Sequence, residues 1–340
     1  MIYKALALQT TCFTVNQATD KAAAEAIMSM TIDRINGQIR ASKAFVGPDV
    51  KLVVLPEYFL TGFPMGETFA QWRDKACLEM TGKIYEKLGK MAMENGVFLS
   101  GNAYELDSNF PDLYFQTSFI LNTEGAVILR YRRLNSMFAP TPHDVLDKYI
   151  AVYGYDALFP TVKTDIGTLA CIASEEILYP EIARCLMMRG AEIFLHSSSE
   201  ISSPMPTQKN IAKLARATEN MAYVVSANSA GMADTAIPFA STDGYSQIVN
   251  YEGLKLCEAA TGESMVANAT INLDALRHAR QRLGMSNFIA RQRFELYAKS
   301  YADHAFYPAN NMLDTTPNRA HFIDNQRITI EKLKEKRVIL

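Results

Sequence analysis

The sequence predicts an α/β fold of mixed sheets with helices on their outer faces, and three observations lead there. Short runs rich in Val, Ile and Leu alternate with longer segments of helical period. A strand-helix opening is followed by three strands in meander style, two of them joined by the turn "NTEG". Finally, 49% hydrophobic against 21% charged residues in a chain of 340 supply a large core. Length alone is compatible with one unit or two, because α/β folds often reach this size undivided.

The elements follow in order. "YKALALQ" reads as a first strand, and residues 17 to 42 carry helix formers with apolar positions three and four apart. "KLVVLPE" is a buried strand ending at Pro56, and "GKIYEKLGKMAMENG" an amphipathic helix closed by Gly96, where a glycine ends a helix without steric cost. "VFLSGNAYEL", "LYFQTSFIL" and "GAVILRYRRL" are the meander strands. In the second half "TLACIAS", "AEIFLHS" and "YVVSANS" are strands separated by the helices "YPEIARCLMMRG" and "TQKNIAKLARATENMA", and "GYSQIVNYEGLKLCEA" is a hairpin. From about residue 299 the chain turns Pro- and Asn-rich and then basic, which predicts an extended tail in need of a surface.

Charge and cysteine usage narrow the function. A net charge of -2 lacks the clustered cations that a nucleic-acid binder uses against phosphate, so a small-molecule ligand is expected. The five cysteines are odd in number, scattered and without C-x-x-C spacing, and the five histidines are equally dispersed. Neither a disulfide framework nor a metal site is expected. The opening "MIYKALALQTT" is too short an apolar run for a leader, and no stretch of about 20 apolar residues follows. We expect no membrane or cofactor role, and a cytoplasmic protein.

Three polar residues sit where strands end, which is where α/β folds place functional groups. Glu57 follows the Val-Leu run and a proline, and reads as a solvated loop charge or a positioned base. Arg133 shares a strand face with Tyr131, while Arg130 and Arg132 point the other way, so one pair is expected to be a solvated face. Ser174 either caps a helix that starts at Glu175 and Glu176, or lies on an elbow before a helix that starts at Pro180. Cys171, three positions earlier, points to the opposite side and into packing.

"LVVLPEYFLTGFP", "RYRRL", "TDIGTLACIASEEILYPEIAR", "RGAEIFLHSS" and "ARATENMAYVVSANSAG", in this order and spacing, resemble the nitrilase superfamily of carbon-nitrogen hydrolases over about residues 3 to 297. The resemblance implies an α-β-β-α four-layer sandwich over residues 1-298, followed by a C-terminal extension, 299-340, that packs on a neighbouring subunit of a homodimer or larger homo-oligomer. It also implies a Glu-Lys-Cys triad. Glu57 falls on the glutamate, Arg133 on the lysine and Ser174 on the cysteine. Tyr58, the backbone N-H of Glu175 and His196 are expected to meet substrate. No glutamate matches the family's second one; Asp144 is the nearest acid and is left unassigned.

Two departures in three bear on the chemistry. Ionising a serine costs roughly 6 to 7 kcal/mol more than ionising a cysteine, and arginine cannot surrender a proton. Three readings stay open: an amide, nitrile or carbamoyl hydrolase of altered chemistry, a catalytically silent relative that binds a small carboxylate or amide or serves as an assembly partner, and a serine substitution of a native cysteine.

Overall fold

Two six-stranded sheets stack face to face in the computed structural model, which describes residues 1 to 313, 315 and 317 to 340. The first runs Asn268–Asn272, Ile2–Ala7, Val50–Val54, Phe98–Leu106, Tyr114–Leu121, Val127–Arg132. The second runs Lys255–Glu258, Gln247–Val249, Tyr223–Ala227, Ile193–Ser197, Gly167–Ala173, Val162–Thr164. In each sheet the three inner neighbours that are linked through helices pair in parallel, and the flanking strands pair antiparallel. Parallel neighbours need a long crossover, and the alternating helices supply it.

Side-chain alternation sorts the apolar residues into two cores. Ala5, Ala7, Leu52 and Val54 face the second sheet, where Leu169, Cys171 and Leu195 meet them. Leu6, Leu8, Val53 and Leu55 point the other way, onto Met28, Ile32, Ile35 and Ile39 of the helix Lys21–Val46. The helices Pro180–Met188 and Gln208–Asn220 cover the second sheet through Ile182, Leu186, Ala212 and Ala217. The result is four layers, α-β-β-α. Among the described residues no helix is long and apolar enough to cross a membrane.

Local chemistry accounts for the boundaries. The first helix begins at Lys21, four residues after the periodicity suggests, because the Asp20 side chain accepts from the Ala23 N-H and fixes the start there. The helix Lys83–Asn95 ends at Gly96 in the left-handed region, as its sequence indicates. That helix also lies against the turn at Gly125, so closely that a Cβ on Gly89 would collide with the Gly125 carbonyl oxygen.

The tail departs from expectation. The helix Glu295–Ala302 leads into it, and it contains the helix Arg319–Glu335, capped by Asn318. Part of the surface it uses is its own chain: Met312 and Phe322 are buried with Phe110, Phe115, Val145 and Tyr149, and Met312 N-H donates to the Asp144 carbonyl at 3.0 Å. Phe322→Ala is expected to raise cleavage within residues 313 to 335 by about tenfold in limited proteolysis, with the sandwich intact, because one buried aromatic supplies most of the apolar contact of that helix.

Candidate active site

The inner strands of both sheets end at one rim, and there the chain turns polar. Glu57 directly follows Leu55-Pro56 at the end of the strand Val50–Val54, and is 1% exposed. Its Oε1 accepts from Gln116 Nε2 at 2.7 Å and from Arg133 Nη1 at 3.2 Å; its Oε2 accepts from the Ser199 N-H at 3.1 Å. Arg133, directly after Val127–Arg132, is also buried. Besides Glu57, its guanidinium donates to Gln116 Oε1 at 2.7 Å, to Glu175 Oε1 at 2.5 Å and to the Asn135 carbonyl at 2.7 Å. Burial alone would ease its proton off, but Glu57, Tyr58, Glu175 and Glu176 more than reverse that and hold it charged.

Ser174 occupies the elbow rather than a helix cap. It opens a single 3-10 turn, Ser174–Leu178, and the α-helix starts later, at Pro180. Its φ of 49° is left-handed, an uncommon conformation for a serine. Two groups hold it there. The carbonyl oxygen accepts from His196 Nε2 at 2.8 Å, and the hydroxyl oxygen accepts from Lys209 Nζ at 3.2 Å. Cys171 is fully buried between the sheets beside Ser100, and burial pushes its thiol up to about 12.

Glu176 ties the elbow to the neighbouring strand. Its Oε1 accepts from the N-H groups of Leu134 at 2.6 Å and Asn135 at 2.9 Å, and its Oε2 from Tyr131 Oη at 2.8 Å and the Ala173 N-H at 3.3 Å. Complete burial pushes this carboxyl up to about 7, against the pull of Arg133 and of these donors.

Glu57, Tyr58, Arg133, Ser174, Glu175 and Lys209 share the wall of one cavity of about 950 Å³. Phe63, Phe69, Phe138, Leu178 and Ile201 make much of the remainder apolar, and Asn318, Arg319 and Phe322 complete it from the C-terminal extension. The Phe138 ring packs against Phe322 and under the Arg319 guanidinium, 4.0 Å from its centroid. A cavity of this size, apolar with a few convergent polar groups, suits a small organic ligand.

Several expectations need correction. His196, expected to meet substrate, is completely buried and absent from the cavity wall. Its Nδ1 pairs with Ser226 Oγ at 2.8 Å while Nε2 donates to Ser174, so it braces the elbow as a neutral imidazole, with burial and Lys213 holding its proton affinity far down. Arg132 is no solvated charge: it pairs with Asp107 at 2.6 Å beneath the rings of Phe115, Tyr149 and Tyr153. Arg130 pairs with buried Glu105 at 3.0 Å. Asp144 caps its own turn through Thr141 and stays out of the cavity wall.

Sequence reading missed Gln116, Lys209 and the buried pair Lys213–Glu200, 3.0 Å apart. Gln116 had a weak signal, since it is the bulkiest of the three polar residues, with Thr117 and Ser118, that interrupt the apolar run "LYFQTSFIL". Lys209, on the first turn of a helix remote in sequence, had none.

Fold and site together define a four-layer sandwich with a largely apolar pocket whose few polar groups lie at the carboxyl ends of its inner strands. The chain belongs to the carbon-nitrogen hydrolase family, which residues 8 to 281 match. Among curated proteins it is 26% identical over 209 residues to the deaminated glutathione amidase of Rattus norvegicus, covering 60% of this chain and 62% of that one, less than two thirds of the rat protein's length. It is 23% identical over 257 residues to the omega-amidase NIT3 of Saccharomyces cerevisiae, covering 74% and 84%, and 25% identical over 244 residues to the formamidase of Helicobacter acinonychis, covering 71% and 68%. The solved structure of Saccharomyces cerevisiae Nit3, a member of the nitrilase superfamily, superposes with a TM-score of 0.64 at 21% identity over 86% of this chain and 97% of that one. A carbon-nitrogen hydrolase from Helicobacter pylori gives 0.64 at 19% over 88% and 99%.

Proposed function

We propose that the protein hydrolyses the C-N bond of a small amide or a related nitrile or carbamoyl compound, with Ser174 as nucleophile, Glu57 as base and Arg133 as the cation that orders the site. The observation that carries this reading is the left-handed φ of Ser174, held by His196 on the wall of the cavity that Glu57 and Arg133 also line. A serine in that conformation costs folding energy, and such strain is retained chiefly where it positions a group for use. The amidase names of the relatives point the same way.

In the proposed reaction the hydroxyl proton passes to the Glu57 carboxylate as a bond forms between Oγ and the substrate carbonyl carbon, and the carbonyl π pair moves onto its oxygen. The backbone N-H of Glu175, the first peptide after the nucleophile, and the remaining Arg133 N-H meet that oxygen. Collapse breaks the C-N bond, the nitrogen takes the proton back from Glu57, and water attacks the resulting ester by the same route in reverse. For an amide of unsubstituted nitrogen the products are ammonia and a carboxylic acid.

Ammonia release from a panel of small amides, nitriles and carbamoyl compounds tests the assignment. Glu57→Gln is expected to lower turnover about 100-fold, the scale of a general base, and Ser174→Ala to remove it. Turnover unchanged in both would refute the reading. One observation favours a second reading, a pocket that binds without turnover: four of the five guanidinium N-H groups of Arg133 already have protein acceptors. Ligand binding by calorimetry in the absence of any ammonia release would support that one.

A further inference from the structure

We propose that Lys209 is a catalytic residue of this site, supplying at Ser174 Oγ the positive charge that Arg133 cannot deliver. The proposal deepens the hydrolase reading and rests on it. In the family pattern the triad cation follows the strand that ends at Arg132. Here that position holds Arg133, whose guanidinium is committed to Glu57 and Glu175. Lys209 approaches from a different element, the first turn of the helix Gln208–Asn220, which Thr207 caps by accepting from the Asn210 N-H.

Its side chain leaves the helix toward the cavity and brings Nζ to 3.2 Å from the hydroxyl oxygen. Among the described residues it has no carboxylate partner, whereas Lys213, one turn further on the same helix, is buried and paired with Glu200. Lys209 is therefore the cation at the elbow whose charge is left for the hydroxyl itself. An ammonium has only donors, so it occupies a lone pair of Oγ and leaves the hydroxyl hydrogen to point elsewhere, toward a base. As negative charge grows on Oγ during attack, the same contact strengthens, which is the condition for lowering a barrier rather than merely binding. Other charged or titratable groups on the same cavity wall are Glu57, Tyr58, Arg133, Glu175 and Glu200, and Glu176, His196 and Lys213 are buried behind it.

The test uses a readout that does not require turnover. In a Ser174→Cys background the thiol stands in for the hydroxyl, and its ionisation is read from the pH dependence of iodoacetamide alkylation, with the site resolved by peptide mass. Adding Lys209→Met is expected to raise the thiol pKa by about one unit or more, because an adjacent cation favours the thiolate. Lys209→Arg is expected to restore most of the shift, and Lys209→Gln, an uncharged side chain of similar polarity, to behave as methionine does. With Ser174 in place, Lys209→Met is expected to lower kcat at least about tenfold with KM little changed. Identical alkylation profiles with and without Lys209→Met overturn the proposal. If the thiol shift is present while no Ser174 protein releases ammonia from any substrate, the hydrolase reading falls, and the assignment of Lys209 as the charge on this oxygen stands on the shift.

Discussion

Ser174→Cys is expected to raise amide turnover about 1,000-fold, and the rise should fall mainly in kcat. A thiol ionises near 8.5, an alcohol roughly five units higher, so the serine carries an extra ionisation cost of about 6 to 7 kcal/mol that its neighbours offset only in part. Three features already present are those a thiolate would use: the left-handed elbow, the Glu57 carboxylate that accepts from Gln116 and Arg133, and the Lys209 ammonium beside the side-chain oxygen. The substitution exchanges one atom and leaves the cavity wall as it is. Steady-state ammonia release from purified wild type, Ser174→Cys and Ser174→Ala checks it. Equal rates for the cysteine and serine proteins would mean that the hydroxyl is not the attacking group.

The second large effect concerns stability. Glu176 has a folded-state pKa of about 7, above its unfolded value near 4.5, because it is fully buried. Between these values the folded protein holds a proton that the unfolded chain has released, so stability falls as pH rises. The contribution is fully present below about 4.5 and lost above about 7, a change of about 3 kcal/mol. Glu176→Gln has no such titration. At pH 5 it is expected to cost about 1 to 3 kcal/mol, since its amide would meet the Ala173 N-H donor to donor. Between pH 5 and pH 8 the wild type loses about 2.5 kcal/mol that the variant does not, so the gap is expected to close or change sign by pH 8. Urea unfolding at pH 5, 6 and 8 reads it directly; a gap that widens with pH would reverse the sign and show a carboxylate stabilised by its donors.

The three residues that sequence reading selected for the triad share one signature, a polar group at the end of a strand. Glu57 follows "LVVLP", Arg133 follows "ILRYR" and Ser174 follows "LACIA". Strand period and the carboxyl-end rule put each at the end of a strand, and the resemblance to the carbon-nitrogen hydrolases grouped them as one site. Gln116 stood out only as part of the polar stretch Gln116-Thr117-Ser118 inside a strand, and Lys209 not at all, because its reach depends on where a crossover helix lies relative to an elbow 35 residues away. Alternation assigned Arg132 to the correct face but said nothing of what covers that face, which is a pair of tyrosines, 149 and 153, from the following helix Leu146–Tyr153. The last helix stayed hidden for a related reason: it buries only Phe322 and Asn325, too few positions to imprint a period of 3.6 on the sequence.

That helix also sets an order of events during biosynthesis. About 50 residues separate the last strand of the sheets, Asn268–Asn272, from Phe322, and at 5 to 20 residues per second a ribosome needs roughly 2.5 to 10 s to make them. Asn318, Arg319 and Phe322 are therefore made after every strand on which the reactive groups stand. The last part of the cavity wall to be made is thus the part furthest in sequence from Ser174.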